Sequence, residues 1–335
     1  MTAISGLATN FLQLLAARIG VGVGEAGASP PSHSIISDYF PHEERGRALS
    51  IYSIGIYIGI LIGFLAGGWI NQYFGWRIAF LVVGGPGILL AVIVRLTLRE
   101  PVRGQLDAGN HESMPDSQFL PDIRRIWSLR SFRYSALGAG LNAFLGYGAL
   151  NFMPSFAIRI YEIPVGIVGT WLALIVGLAG AAGVYAGGHM SDQLGKTDPR
   201  WPYRVAGIST MLSGLFLIAA LLVASQHAMW GIYIFVVLTS SMFLGPTIAM
   251  AHALVGPRYR ALASSLLFFV LNMIGLGLGP LTVGIVSDQL APSLGVESIR
   301  WAIMTTSIAA IAGGSLYLVA TRYVKEDLER SEQNA

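Results

Sequence analysis

Nine long apolar segments run through the sequence, and the loops that join them alternate in charge. The segments cover roughly 11–40, 48–71, 76–98, 134–158, 166–190, 203–224, 229–254, 261–286 and 301–321. Most of them are long enough to cross a hydrocarbon core about 30 Å thick, which takes about 20 helical residues. This pattern predicts an all-α, polytopic membrane protein with roughly nine transmembrane helices.

The basic residues of the loops orient the predicted helices. Of the 21 Lys and Arg residues, 17 fall on one side of the alternating loops. They are Arg45, Arg47, Arg95, Arg99, Arg103, Arg124, Arg125, Arg130, Arg133, Lys196, Arg200, Arg204, Arg258, Arg260, Arg322, Lys325 and Arg330. Arg18 lies inside the first segment, and Arg77, Arg159 and Arg300 fall on the other side. Because cytoplasmic loops carry an excess of Lys and Arg, the C-terminus is predicted to be cytoplasmic, in a bacterial inner membrane.

The composition excludes several classes of function. Hydrophobic residues make up 54% of the chain and charged residues 12%, against about 25% charged in ordinary soluble domains. The net charge is +3, but the basic residues are spread thinly over the loops, so no nucleic-acid partner is expected. Without Cys, H-E-x-x-H or G-x-S-x-G, the sequence predicts no enzyme, metal site or cofactor. It also lacks the filter-like loop or ring of charge expected of a channel.

An internal repeat connects the beginning and the end of the chain. The pattern R-x-R-A-L stands at 45–49 and again at 258–262, 213 residues later. Each copy precedes a Gly-rich segment, and each of these leads to a short loop with a Trp and an Arg side by side. Segments one to three therefore resemble segments seven to nine in the same orientation, as in transporters built from two parallel bundles.

The repeat predicts how the chain is divided. Three segments precede the second copy, so three matching helices are expected before the first copy and are missing. The expected parts are a remainder of an N-terminal bundle (1–100), a cytoplasmic central loop (101–133), a six-helix C-terminal bundle (134–322) and a tail (323–335). The alternative is a non-transporting fragment or the product of a mis-started gene. The basic end of the central loop, 124–133, is predicted to be either an amphipathic segment on the membrane surface or a solvated linker.

The loop after the fifth segment carries a G-x-x-x-D-x-x-G-K motif made by Gly188, Asp192, Gly195 and Lys196. Gly188 is predicted to let two helices approach closely, and Gly195 to allow the turn. Asp192, at the membrane edge, is expected to cap a neighbouring helix or to pair with an Arg when the transporter faces outward. Lys196 is expected to stay in the cytoplasm.

Two opposite charges lie within the first apolar segment. Arg18 and Glu25 are seven residues apart, which is close to two helical turns, so both lie on one face about 10 Å apart along the axis. Charges inside a spanning helix are costly in lipid and are expected to face a bundle interior or water. Either Arg18 holds an anionic group and Glu25 exchanges a proton, or both belong to a static ion-pair site whose partners lie on the missing helices.

Several motifs together resemble the spinster-like branch of the major facilitator superfamily. They are R-x-G-x-G-x-G-E-A at 18–26, D-Y-F-P at 38–41, R-G-R-A-L-S at 45–50, G-G-W at 67–69, F-G-W-R at 74–77, R-E-P at 99–101, the 188–196 motif with Trp201, R-Y-R-A at 258–261, and 272–280 with Gly284, Ser287 and Asp288. The resemblance covers essentially the whole chain.

This resemblance implies a fold of twelve helices in two bundles that works by alternating access. Animal members of the branch export sphingosine 1-phosphate or lysophospholipids, and bacterial relatives look proton-coupled. In the family the Arg and Glu of the fourth helix are functional, and they match Arg18 and Glu25. The resemblance thus implies a monomeric transporter in the lipid bilayer that moves a small anionic or amphiphilic solute together with protons.

Four further residues are candidates for lining a cavity. Asn142, Tyr147 and Asn151 lie along the fourth segment, where each could either line the cavity or bond a neighbouring helix. Tyr57, in the second segment, could contact an anionic head group, although packing in the core is the alternative.

Overall fold

The computed structural model describes residues 1–26, 32, 35–36, 39, 42–97 and 119–333, and every regular element in this part is helical. The helices are α1 (Thr2–Ser5), α2 (Phe11–Ala26), α3 (His42–Phe74), α4 (Trp76–Thr97), α5 (Phe119–Ser128), α6 (Arg130–Tyr161), α7 (Val165–Leu174), α8 (Gly180–Gly195), α9 (Trp201–Leu222), α10 (Gln226–Ser241), α11 (Leu244–Leu271), α12 (Gly279–Leu294), α13 (Ser298–Ala320) and α14 (Val324–Gln333). Two π-helical segments interrupt them, Ile175–Ala179 between α7 and α8 and Asn272–Leu278 between α11 and α12.

Five helical stretches in the described part are long and apolar enough to cross a membrane. They are Trp76–Thr97, Val165–Gly195, Trp201–Leu222, Gln226–Val255 and Tyr259–Ala320. Shorter apolar helices cover Phe11–Gly24 and Ile58–Phe74. The predicted all-α membrane class is therefore confirmed, whereas the number of nine spans stays a prediction.

The chain reverses direction within α11, although its backbone is helical throughout. The His252 ring Nε2 lies 2.6 Å from the Ser264 hydroxyl oxygen. Twelve residues of straight helix would separate these positions by about 18 Å, so the helix must fold back between them. The reversal lies where the sequence predicts the loop between the seventh and eighth segments.

Contacts between Cα atoms divide the chain into two compact units. Unit 1 consists of Met1–Pro115 and Pro164–Gly177, and unit 2 of Asp116–Ile163 and Leu178–Ala335. The short segment with α7 thus groups with the early helices, although the sequence-based division assigned it to the C-terminal bundle. That division into bundles stays a prediction.

Unit 2 has an apolar core in which small residues alternate with a few large ones. Phe132, Ala136 and Ala139 of α6 are fully buried in it, with Tyr203 of α9 and Tyr317 of α13. Glycine allows the helices around this core to approach closely. A Cβ atom on Gly138 of α6 would lie 2.8 Å from the Gly313 carbonyl oxygen of α13, and one on Gly313 would lie 2.9 Å from the Gly138 carbonyl oxygen. Such close crossings through small residues are typical of helices packed in lipid.

Helix α5 covers most of the basic end of the central loop. Ile126 is 2% exposed and belongs to the core of unit 2, while Trp127 packs edge-on against Phe132 with the ring centroids 6.4 Å apart. Arg124 and Arg125 on the same helix are exposed. Of the two interpretations left open for this region, the helical α5 with one buried side favours the amphipathic segment, and its place on the membrane surface stays a prediction.

The C-terminal helix α14 holds the beginning of α6. The buried carboxylate of Asp327 accepts hydrogen bonds from the Ser131 backbone N–H (2.8 Å) and hydroxyl (2.6 Å). The first backbone N–H groups of a helix have no partner within the helix, and an anion at that end is favourable. Asp327 thus caps α6 from 196 residues away.

Candidate functional site

Arg18 is exposed near the middle of α2 in unit 1. Its guanidinium carbon lies 5.9 Å from the centroid of the Phe80 ring on α4. Among the described side chains, no carboxylate lies within 4.0 Å of this guanidinium. Among the described side chains, the face of the Phe80 ring is the neighbour of this guanidinium.

The other helices of unit 1 place Phe80 beside α2. Helix α1 packs against α4, since a Cβ atom on Gly84 would lie 2.5 Å from the backbone N of Ala3. The Arg77 Nη2 group of α4 donates to the Ala8 carbonyl, 3.3 Å away, just before α2 begins. Glu25 belongs to the same helix as Arg18, but its side chain lies outside the part that the structure describes. The same holds for the side chain of Tyr57 in α3.

The three candidates on α6 differ in their surroundings. Asn142 is 2% exposed, and its amide Nδ2 donates to the Ser240 carbonyl of α10 at 2.9 Å. Asn151 is exposed, and its amide donates to the Tyr147 carbonyl of its own helix at 2.8 Å. Nine residues are two and a half turns at 100° per residue, so Asn142 and Asn151 point to opposite sides of α6. Asn142 thus bonds a neighbouring helix, and Asn151 lies on an exposed side of unit 2, whereas Tyr147 is half-buried and packs against the apolar core.

The motif after the fifth segment lies at the end of α8. Asp192 and Lys196 are exposed, and within the described residues Asp192 forms neither a hydrogen bond nor an ion pair. The close helix approach predicted for Gly188 stays a prediction: a Cβ atom on Gly188 would meet nothing within 4 Å, but one on Gly245 of α11 would lie 3.7 Å from the Gly188 Cα. Gly187 faces the end of α10, where a Cβ atom on Gly187 would overlap the Met242 carbonyl. Gly195 ends α8 without a positive φ.

A contact that was not predicted from the sequence joins α3 and α7 in unit 1. The Trp69 indole N–H donates to the Thr170 hydroxyl at 3.0 Å, and the Gln72 side-chain oxygen accepts from the Gly166 backbone N–H at 2.7 Å. A Cβ atom on Gly169 would lie 2.5 Å from the Phe64 carbonyl oxygen, so the two helices touch through their backbones. The Gly residues of both segments were the available signal, but they do not say which helices pair.

Known proteins resemble the chain along most of its length. A family model described as Major Facilitator Superfamily matches residues 1–280. The chain belongs to the major facilitator superfamily. An "MFS-type efflux pump" of Mycolicibacterium smegmatis is 29% identical over 341 residues, which cover 99% of this chain and 76% of the pump. "Protein spinster homolog 1" of Xenopus tropicalis is 27% identical over 349 residues, which cover 96% of this chain and 65% of that protein.

Two solved structures extend this similarity to the fold. Both are of a bacterial homologue of the human lysosomal transporter Spinster in an inward-facing conformation. The unoccupied form matches with a TM-score of 0.85 and 29% identity, covering 97% of this chain and 81% of the homologue. The occupied form matches with a TM-score of 0.81 and 28% identity, covering 97% of this chain and 80% of the homologue. The predicted spinster-like, major-facilitator character is confirmed, and it points to a membrane transporter rather than an enzyme.

Proposed function

We propose that this member of the superfamily is a proton-coupled secondary active transporter that moves a small anionic or amphiphilic organic solute by alternating access. A lipid-like solute falls within that class. We further propose that it works as a monomer in a bacterial inner membrane with its C-terminus in the cytoplasm. The spinster relatives, the efflux pump and the positive-inside bias support this proposal.

Arg18 is the observation that carries the proposal. A guanidinium within an apolar helix is expensive in hydrocarbon and is expected to face water or a polar partner. The ring of Phe80 contacts this group, and no carboxylate among the described side chains neutralises it. A fixed cation beside an aromatic ring suits an anionic head group attached to an apolar body.

The less covered side of α6 supports a polar pathway along unit 2. An exposed Asn151 amide near Tyr147 would be unfavourable against lipid tails, because polar groups in spanning helices face water or protein. We therefore assign Tyr147 and Asn151 to the lining of the pathway. For Asn142 the bond to Ser240 favours a role in helix packing.

The contact between α3 and α7 supports alternating access. We propose that these helices separate whenever the pathway opens on their side. Two hydrogen bonds and a backbone crossing at Gly68 and Gly169 hold them together, and we propose that this contact is broken and remade in each cycle. In this state Asp192 has no partner among the described groups, as expected if its bonds form only in the opposite state.

Cross-linking α3 to α7 should stop transport. The chain has no Cys, so a Trp69→Cys/Thr170→Cys pair would carry its only two thiols. A short bifunctional thiosulfonate reagent is expected to join them and to lower solute flux in proteoliposomes to background, because the contact can no longer open. Reduction should restore the flux. Each single-Cys variant treated with the same reagent is the control, and undiminished flux in the cross-linked pair would rule out separation of these helices.

Asp192→Asn is expected to slow transport several-fold without loss of folding. The carboxylate is exposed and has no partner among the described residues in this state, so its removal should cost little stability here. It should instead destabilise the state in which Asp192 meets a helix end or an Arg. Initial flux in proteoliposomes and the melting temperature in detergent are the measurements. An unchanged flux would count against a gating role.

The overall proposal can be tested with the purified full chain in proteoliposomes under an imposed pH gradient. Suitable probes are three labelled single-chain amphiphiles at submicellar concentration: anionic lysophosphatidylglycerol, zwitterionic lysophosphatidylcholine and a quaternary alkylammonium. We expect flux of the anionic probe that depends on the gradient. If a folded chain moves none of the probes and no other anionic solute, the alternative of a non-transporting fragment is supported instead.

A further inference from the structure

Six basic residues surround one corner of unit 2, where α5, the first turn of α6 and the beginning of α14 meet. This basic corner consists of Arg124, Arg125, Arg130, Arg133, Arg322 and Lys325. All except the half-buried Arg133 are exposed. The Asp327–Ser131 hydrogen bonds fix α14 against α6, so these charges are held together by the fold.

Aromatic rings hold the guanidinium groups of the basic corner. The Tyr134 and Tyr323 rings are stacked with centroids 5.8 Å apart. The guanidinium carbon of Arg130 lies 5.3 Å from the Tyr323 centroid, and that of Arg133 lies 5.8 Å from the Tyr134 centroid. The guanidinium carbon of Arg125 lies 5.4 Å from the centroid of the Tyr259 ring. A guanidinium over a ring face keeps its N–H groups directed outward, where they can meet an anion.

The carboxylates near the basic corner do not neutralise it. Asp327 is 2% exposed and accepts from Ser131, and Glu326 pairs with Arg330 at 2.6 Å. In the part of the chain that the structure describes, none of the six basic residues forms an ion pair. With Asp122 of α5 and Glu329 of α14 also counted, the corner keeps an excess of positive charge.

The length of α6 places the basic corner at the level of lipid head groups. The helix has 32 residues, or about 48 Å at 1.5 Å per residue. A bilayer measures about 40–45 Å including its head groups, so with α6 crossing it as the predicted fourth segment, the first turn of α6 would lie at one interface. The buried side of α5, with Ile126 and Trp127, packs on unit 2, and its basic residues remain exposed beside this interface.

We propose that the basic corner binds the phosphodiester head group of an anionic phospholipid from the surrounding leaflet, which is the predicted cytoplasmic one. Phosphate oxygens match the planar fork of Arg, and clusters of four or more basic residues at the end of a spanning helix attract anionic lipids. A zwitterionic lipid offers the same phosphate but adds a cation that the excess charge repels. The binding fastens α5 and α14 to the membrane beside the start of α6.

The test compares phosphatidylglycerol with phosphatidylcholine on the purified full chain. Lipids retained by the protein are counted by native mass spectrometry, and the melting temperature is followed as phosphatidylglycerol is added to phosphatidylcholine nanodiscs. Arg130→Gln/Arg133→Gln should weaken phosphatidylglycerol binding about 10- to 30-fold and remove most of its stabilising effect. Arg322→Gln/Lys325→Gln, which breaks no ring contact, should weaken binding similarly without a change of melting temperature in pure phosphatidylcholine.

Arg159→Gln is the matched control, because Arg159 is exposed on the last turn of the same helix. It should bind phosphatidylglycerol like the wild type. If Arg159→Gln loses as much phosphatidylglycerol binding as the double variants, the lipid is held by general charge attraction and the proposed site is excluded. The proposal also fails if both double variants retain the lipid at wild-type affinity. If inorganic phosphate at millimolar concentration reproduces the stabilisation, the corner is a site for soluble anions rather than for lipid.

Discussion

Arg18→Gln is expected to lower the flux of an anionic amphiphile about 10- to 100-fold, because a charge-assisted hydrogen bond to a desolvated anion contributes about 1.5–3 kcal/mol. The glutamine side chain stays polar, but it is shorter and carries neither the charge nor the fork of donors. Arg18→Lys keeps the charge but not the fork of donors, so its flux should lie between those of the wild type and Arg18→Gln. The measurement is initial flux in proteoliposomes at several solute concentrations.

Two controls separate substrate recognition from folding in this experiment. Arg95→Gln removes another exposed Arg of unit 1, at the end of α4, and should leave the flux unchanged. Phe80→Leu removes the ring beside the guanidinium and should lower the flux a few-fold at most. An Arg18→Gln variant that moves the anionic probe at the wild-type rate would exclude Arg18 as its binding partner. Uniform loss for anionic and cationic probes would indicate a structural role instead.

Glu25→Gln should remove the response of transport to a pH gradient. A carboxyl group inside a spanning helix favours its protonated form when water leaves, and it can release the proton when water returns. Coupling of one proton to each solute makes a gradient of one pH unit equivalent to about a tenfold accumulation. Glutamine resembles the protonated acid permanently, so the variant should equilibrate the solute without accumulating it.

The readout for Glu25→Gln is the ratio of internal to external solute with and without the gradient. Glu329→Gln, which changes an exposed carboxylate on α14, should keep the wild-type ratio. If Glu25→Gln still accumulates solute in proportion to the gradient, the proton is carried by another group. If Glu25→Gln moves no solute in either direction, Glu25 takes part in solute binding instead.

The sequence predicted helix positions well because apolar length and charge are local properties. The reversal between His252 and Ser264 and the amphipathic α5 follow from such patterns. The sequence could not distinguish the roles of Asn142 and Asn151, because both are asparagines on the same helix. Their difference depends on which side of α6 is covered by α10 and α13, and that requires the packed unit.

Pairs that are distant along the chain were the hardest to predict. Trp69 and Thr170 are 101 residues apart, and both lie in segments with many small residues that could pack against several helices. The G-x-x-x-D-x-x-G-K motif also shows that the sequence does not say which helices touch. The sequence located it at the end of α8, but it could not show that Gly187 faces the end of α10 while the Gly188 backbone lies near Gly245 of α11.

The bond between Ser131 and Asp327 has a consequence for the order in which the protein matures during synthesis. A ribosome that adds roughly 5–20 residues per second needs about 10–40 s to make the 196 residues that separate these partners. Throughout that interval the beginning of α6 has left the ribosome without the carboxylate that will cap it. Unit 2 can therefore reach its final packing only after translation has passed α14, and until then the start of α6 depends on water or a chaperone.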